Sequence, residues 1–101
     1  MKSVLATGFI AAMLLPNVAQ ADVAAGKSAY AARGCIGCHG AGGVSVVANY
    51  PSLKGKSAEF IRQNLTDFRS GARKEPVMNA MAAGLKDADI KNIADYIESL
   101  Q

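Results

Sequence analysis

The chain has no tryptophan, one histidine, two cysteines and three prolines in 101 residues. Each shortage excludes something. A structural zinc site needs four ligands, and no Cys or His lies outside one short segment. A thioredoxin-like thiol pair needs a βαβ setting, and the chain has no such pattern. Long apolar runs are missing beyond the first residues, so no later segment can span a bilayer. Basic and acidic residues are interspersed without a polybasic run, which gives nucleic acid binding no support. Neither internal repeats nor low-complexity tracts are found.

The start of the chain reads as a targeting segment. Lys2 precedes an apolar run from Val4 to Leu15, then Pro16, and the segment closes on Ala19-Gln20-Ala21. The run is short for a membrane helix, and the small residues suit a signal peptidase. Residues 1–21 are therefore expected to be a secretory signal peptide, with an uncleaved anchor as the alternative. Residues 22–101 form one domain of 80 residues, with ten Lys and Arg against eight Asp and Glu.

A domain of this size buries only about 60% of its unfolded surface and needs a staple. Its aromatics are Tyr30, Tyr50, Phe60, Phe68 and Tyr96, few for a self-sufficient core. A disulfide between Cys35 and Cys38 would close a tiny loop and remove little unfolded-state entropy. The missing stabiliser should be larger.

The pattern is all-α with long loops. Asp22 can cap a helix over about Val23–Arg33. Gly40, Gly42, Gly43, Pro51 and Gly55 punctuate a long loop. Val44, Val46 and Val47 lack a partner strand and are assigned to that loop. Ser57 opens a second helix to Ser70, with Phe60, Ile61, Leu65 and Phe68 as its apolar stripe, and Gly71 stops it. "ARKEPVMNAMAAG" reads as a loop with one helical turn. A last helix starts at Lys86 or Asp87 and runs to about Leu100, with Ile90, Ile93, Ala94, Ile97 and Leu100 in helical period.

What is present is concentrated. "RGCIGCHG" (33–40) holds both cysteines and the only histidine. Cys-x-x-Cys-His can hold a haem through two thioether bonds while the histidine ligates the iron. Cys35 and Cys38 are thus expected to carry one covalent haem c, with His39 as an axial ligand. Ile36 and Gly37 serve as spacers. Thiol redox chemistry and a bare metal site are the rival readings. No second histidine exists for the opposite face, and methionine thioether is the natural partner. Met1 and Met13 leave with the signal, so Met78 and Met81 remain.

The domain resembles a class I c-type cytochrome: a single domain of the cytochrome c4 group and, more loosely, cytochrome c5 and the small bacterial cytochromes c553. "AGKSAYAARGCIGCHG", "NYPSLKGKSAEFIRQNLTDFRSGAR" and "MNAMAAGLKDADIKNIADYIESL" carry the resemblance. It implies three main helices and long loops wrapped around the haem. It implies Met78 as sixth ligand, eight residues before Lys86, with Met81 as the second choice and otherwise a core filler. It implies that the Pro51 carbonyl accepts a hydrogen bond from the ligating histidine. Gly26 and Tyr96 match the close crossing of the first and last helices. Asn64, Arg69 and Arg73 could reach haem propionates or loop backbone, but such residues are more often a solvated helix face, and none is assigned as a ligand. The chain departs from the family at Lys86, where Ser or Thr usually caps the last helix, and in its valine-rich loop.

The implied function is that of a periplasmic one-electron carrier, not an enzyme. It would meet redox protein partners transiently at the haem edge, with no nucleic acid and no stable membrane insertion after signal cleavage. One alternative is a haem subunit of a periplasmic dehydrogenase such as a flavocytochrome sulfide dehydrogenase. A second, from another class, is a gas-binding or peroxidatic haem protein with an open iron site.

Overall fold

Residues 18–101 are described in a computed structural model, with side chains from Asp22 onward. Most of the expected signal segment therefore lies outside the described residues. The order of elements is α1 (Val18–Ala32), α2 (Cys35–His39), a 3-10 turn (Ala41–Gly43), α3 (Ala58–Ser70), α4 (Pro76–Ala83) and α5 (Asp87–Glu98). No strand occurs among the described residues, and the valine segment is loop.

Capping chemistry sets most of the boundaries. The Ser57 hydroxyl accepts the Phe60 N–H at 3.1 Å and starts α3. Gly71 ends it at φ 85°, a left-handed conformation that only glycine adopts cheaply. Lys86 stands at the N-cap of α5 and contributes no side-chain bond. The Asp89 carboxylate reaches back instead and accepts the Lys86 N–H at 3.0 Å. Asp87 is then the first helical residue, not the cap, and the count from Lys86 is unchanged.

Three expectations need correction. Asp22 does not cap α1, which already includes Val18. Its carboxylate pairs with Lys91 on α5 at 2.7 Å. The segment after Arg73 is more than a turn, since Pro76–Ala83 forms an eight-residue helix. Proline at its first position wastes no hydrogen bond, and the Glu75 carboxylate caps it. The last helix ends at Glu98, two residues early.

The core sits where α1 and α3 meet α5. Tyr30, Ile61, Phe68, Ala82, Leu85, Ile90, Ile93, Ala94, Tyr96 and Ile97 are buried. Each large apolar side chain taken from water contributes about 1.5–3 kcal/mol. Gly26 makes the closest backbone approach. A Cβ there would lie 1.9 Å from the Asn92 carbonyl oxygen and 2.7 Å from the Tyr96 Cβ. One turn further, the Tyr30 and Tyr96 rings meet tilted, their centroids 5.4 Å apart. The expected crossing is thus present.

Candidate functional site

Gly34 breaks α1 and lets the chain restart at once as the single turn α2, which contains the Cys-x-x-Cys-His run. The Tyr30 hydroxyl, buried in the core, donates to the Gly40 carbonyl at 2.7 Å. That bond ties the end of the run to α1. Burial raises the Tyr30 pKa to about 12, so it remains a donor through the physiological range. Gly40 itself has φ 88°, and a Cβ there would meet the Val44 carbonyl oxygen at 1.9 Å. Only glycine allows the loop to fold back this sharply.

The returning loop brings Pro51 to His39. Leu53 and Lys54 N–H groups both donate to the Gly43 carbonyl, and the Ser45 N–H donates to the Ser52 hydroxyl at 2.9 Å. These bonds place the Pro51 carbonyl 2.8 Å from His39 Nδ1. A carbonyl can only accept, so Nδ1 carries the proton. The lone pair of Nε2 is then the one left to bind a metal.

A cavity of about 430 Å³ opens beside this histidine, within the range of cofactor pockets. Cys35, Cys38 and His39 form one wall, and Pro51 lies on its rim. Met78 and Met81 of α4 both line it, as do Leu65, Phe68, Ile93 and Ile97. The lining is mostly apolar. Met81 is the more exposed of the two methionines, and its methyl carbon lies 3.2 Å from where a Gly34 Cβ would be. It therefore packs at the corner next to Cys35.

Cys35 and Cys38 are not joined to each other in a disulfide. Burial pushes the Cys35 thiol up, whereas attacking thiols are depressed by positive surroundings. The Cys35 thiol is thus poorly suited to attack in thiol exchange. Two sulfurs, one pre-oriented imidazole and a thioether around an apolar cavity fit a haem, and among the described residues no three His, Cys, Asp or Glu side chains cluster to hold a bare ion.

The comparisons agree with this chemistry. The family described as "Cytochrome c" matches residues 23–101. The chain belongs to the cytochrome c family. It accordingly carries covalently attached haem c and serves electron transfer. It is 39% identical over 99 residues to the thiosulfate dehydrogenase electron acceptor of Stutzerimonas stutzeri, covering 90% of this chain and 45% of that one. It is 38% identical over 81 residues to cytochrome c-554(548) of Halomonas halodenitrificans, covering 77% of this chain and 95% of that one. A crystal structure of reduced recombinant cytochrome c4 from Pseudomonas stutzeri superposes with TM-score 0.73 at 32% identity, covering 81% of this chain and 50% of that one. The cytochrome thus spans about half of two of these relatives and nearly all of the third.

Phe60, assigned to the apolar stripe of α3, is 46% exposed and lines the cavity instead. Asn64 and Arg73 also line the cavity and are hydrogen-bonded to each other. Arg69 points to the other side, donating to the Leu85 carbonyl at 3.1 Å and pairing with Asp87 at 2.8 Å. Asn79 was invisible in the sequence, yet its side chain makes three bonds beside Met78. Nothing in a linear pattern marks a residue whose partners are all backbone groups, at the end of α3, in the loop and at the start of α4.

Proposed function

We propose that the cytochrome is a periplasmic one-electron carrier with His39 and Met78 as axial ligands and Cys35 and Cys38 as the thioether attachments. The observation that carries this is the convergence of those four side chains on one apolar cavity. The haem supplies an iron that alternates between ferrous and ferric states. The chain's own part is to keep the same two ligand atoms in place in both, which keeps reorganisation small. Pro51 fixes the imidazole ring through Nδ1 and raises its basicity. Met78 is preferred to Met81 as the sixth ligand because it stands eight residues before Lys86, the place the family resemblance implies; both methionines line the cavity. A methionine ligand raises the reduction potential relative to histidine.

Residues 1–21 are proposed as the leader that delivers the chain across the inner membrane, after which Asp22 is the first residue. No helix among the described residues is long and apolar enough to cross a membrane. Partners are redox proteins that dock transiently at the cavity mouth; such contacts are small and weak. The thiosulfate dehydrogenase acceptor among the relatives suggests a periplasmic dehydrogenase as one donor.

One observation favours a second reading. Val44, Val46 and Val47 are exposed, Val46 at 93%, and a permanent dehydrogenase subunit would cover such side chains. Size-exclusion chromatography of native material separates the two: a lone species of monomer size supports the carrier, and co-elution with a larger protein supports the subunit.

The deciding experiment is a redox titration of the native protein with visible and near-infrared spectra. A reversible one-electron transition is expected, with the weak near-infrared band of methionine-ligated ferric haem. Rapid carbon monoxide binding to the reduced form, with no such band, would establish an open iron site and reject the reading.

A further inference from the structure

We propose that Asn79, assisted by Glu75, is the positioning residue that keeps Met78 presented to the cavity. The proposal rests on Met78 being the sixth ligand.

Met78 needs an external hold. A methionine side chain has three rotatable bonds and fills whatever space it is offered. Its backbone must therefore determine where the sulfur sits. That backbone belongs to α4, only eight residues long, and a helix this short is marginal in water by itself. The C-terminal half of α4 is anchored by Ala82, which is fully buried, and by Leu85 just beyond. The N-terminal half is held less firmly, because Pro76 and Val77 are exposed and Met78 is only partly buried against the core. Met78 lies in that half.

Hydrogen bonds add the hold that this limited packing does not give. Asn79 Nδ2 donates to the Phe68 carbonyl at 2.9 Å and to the Arg73 carbonyl at 2.8 Å. Asn79 Oδ1 accepts the Glu75 N–H at 2.9 Å. The Phe68 carbonyl belongs to the last turn of α3, where carbonyls have no partner within the helix. One amide thus closes the end of α3, spans the connecting loop and fixes the start of α4. Glu75 completes the clasp, its carboxylate accepting the Met78 N–H itself at 2.8 Å. An amide is required: no other small side chain offers two donors and an acceptor together.

The clasp sets how often Met78 leaves the iron face, and the test reads that directly. The holoprotein variants are Asn79→Ala, Asn79→Asp, Glu75→Ala, Glu75→Gln and Met78→Ala. Each is measured for carbon monoxide binding rate in the reduced form, near-infrared band in the ferric form, and thermal midpoint. Asn79→Ala should raise the carbon monoxide rate about tenfold, the scale set by losing hydrogen bonds to otherwise unpaired groups. Asn79→Asp should raise it further, because it turns a carboxylate oxygen toward two carbonyls. Glu75→Ala, at an exposed site that folding tolerates, should give a smaller rise. Glu75→Gln keeps the acceptor and should restore the parent rate.

Lowered thermal midpoints in Asn79→Ala and Glu75→Ala, with carbon monoxide rates within about twofold of the parent, would overturn the proposal, since hydrogen bonds lost only from the scaffold change stability alone. If Met78→Ala loses the near-infrared band while those rates stay put, the clasp fails and the ligand stands. If Met78→Ala keeps the band, the ligand assignment fails and the clasp falls with it.

Discussion

The two faces of α3 are held in different ways. Toward α5, Ala58, Ile61 and Phe68 pack among Ile90, Ile93 and Ile97, which are all but excluded from solvent. Toward the loop and α4, Phe60, Tyr50, Val77 and Met81 are each more than a third exposed, and all four line the cavity. The first face is a packed core made by helix crossing, although Ile61, Phe68, Ile93 and Ile97 also border the cavity. The second is a largely exposed hydrophobic lining that a bound haem would cover. The contrast teaches that the polypeptide stores only part of its fold in its own contacts.

Removing the attachment should have the largest effect. In a Cys35→Ala/Cys38→Ala double variant the haem has no covalent anchor, and the lining face loses its partner. A chain this small is marginal without a staple. The apoprotein is expected to show helical circular dichroism but no cooperative thermal transition. A sharp transition close to that of the holoprotein would mean that the packed face suffices alone, and the comparison between the faces would collapse.

Next in size is a break in the packed face itself. Gly26→Ala puts a methyl 1.9 Å from the Asn92 carbonyl oxygen, where only backbone could yield. Forcing α1 and α5 apart should cost about 3 kcal/mol, the upper range for overpacking. Gly37→Ala is the matched control in the attachment segment. A Cβ there meets nothing within 4 Å, so its cost should stay within about 0.5 kcal/mol. Denaturant titration of the two holoproteins measures both.

The same contrast explains what was legible in the sequence. Helix periodicity exposed α3 and α5, because a packed face repeats its apolar residues every three or four positions. Cys35, Cys38 and His39 were legible because the chemistry needs them adjacent. Pro51, Met78 and the Gly26 crossing came from resemblance to a family, not from spacing. Helix α4 was underestimated: its apolar residues point both to the core and to the cavity, which blurs any single stripe. Asp22 looked like a cap because capping residues and ion-pairing residues are the same types. Phe60 counted as core for a similar reason, since a cavity wall and a protein core look alike in a linear pattern. The Asn79 bonds to Phe68, Arg73 and Glu75 had no linear signature at all.

Tyr30 joins the two faces, and pH tests it. Its hydroxyl is buried and bonded to Gly40, with its pKa raised by burial from 10.0 to about 12. A group whose pKa is higher in the folded state contributes stability that is fully present below the unfolded value. That stability is then lost as pH rises toward the folded value. The holoprotein should therefore lose thermal stability between about pH 10 and 12. The Lys91 ammonium is also held above its usual value, by its bonds to Asp22 and Asp95. The comparison with Tyr30→Phe isolates the tyrosine. That variant should cost about 1 kcal/mol at neutral pH for the lost hydrogen bond and show a shallower alkaline decline. An unchanged alkaline slope would place the sensitivity elsewhere.

The smallest expected effect separates a cap from an ion pair. Asp89 does two things on the packed face: its carboxylate accepts the Lys86 N–H at 3.0 Å and pairs with Arg33 at 3.0 Å. The pair joins the ends of α1 and α5 near the attachment segment, but both partners are partly solvated. Arg33→Ala removes only the pair and should cost within about 0.5 kcal/mol, less in high salt. Asp89→Ala removes the cap as well and should cost about 1 kcal/mol, with little salt dependence in the added part. Asp89→Asn keeps an acceptor for Lys86 and should fall between them. If Arg33→Ala proves as costly as Asp89→Ala, the pair rather than the cap holds the start of α5. The packed face would then depend on surface charge in a way its buried isoleucines do not suggest.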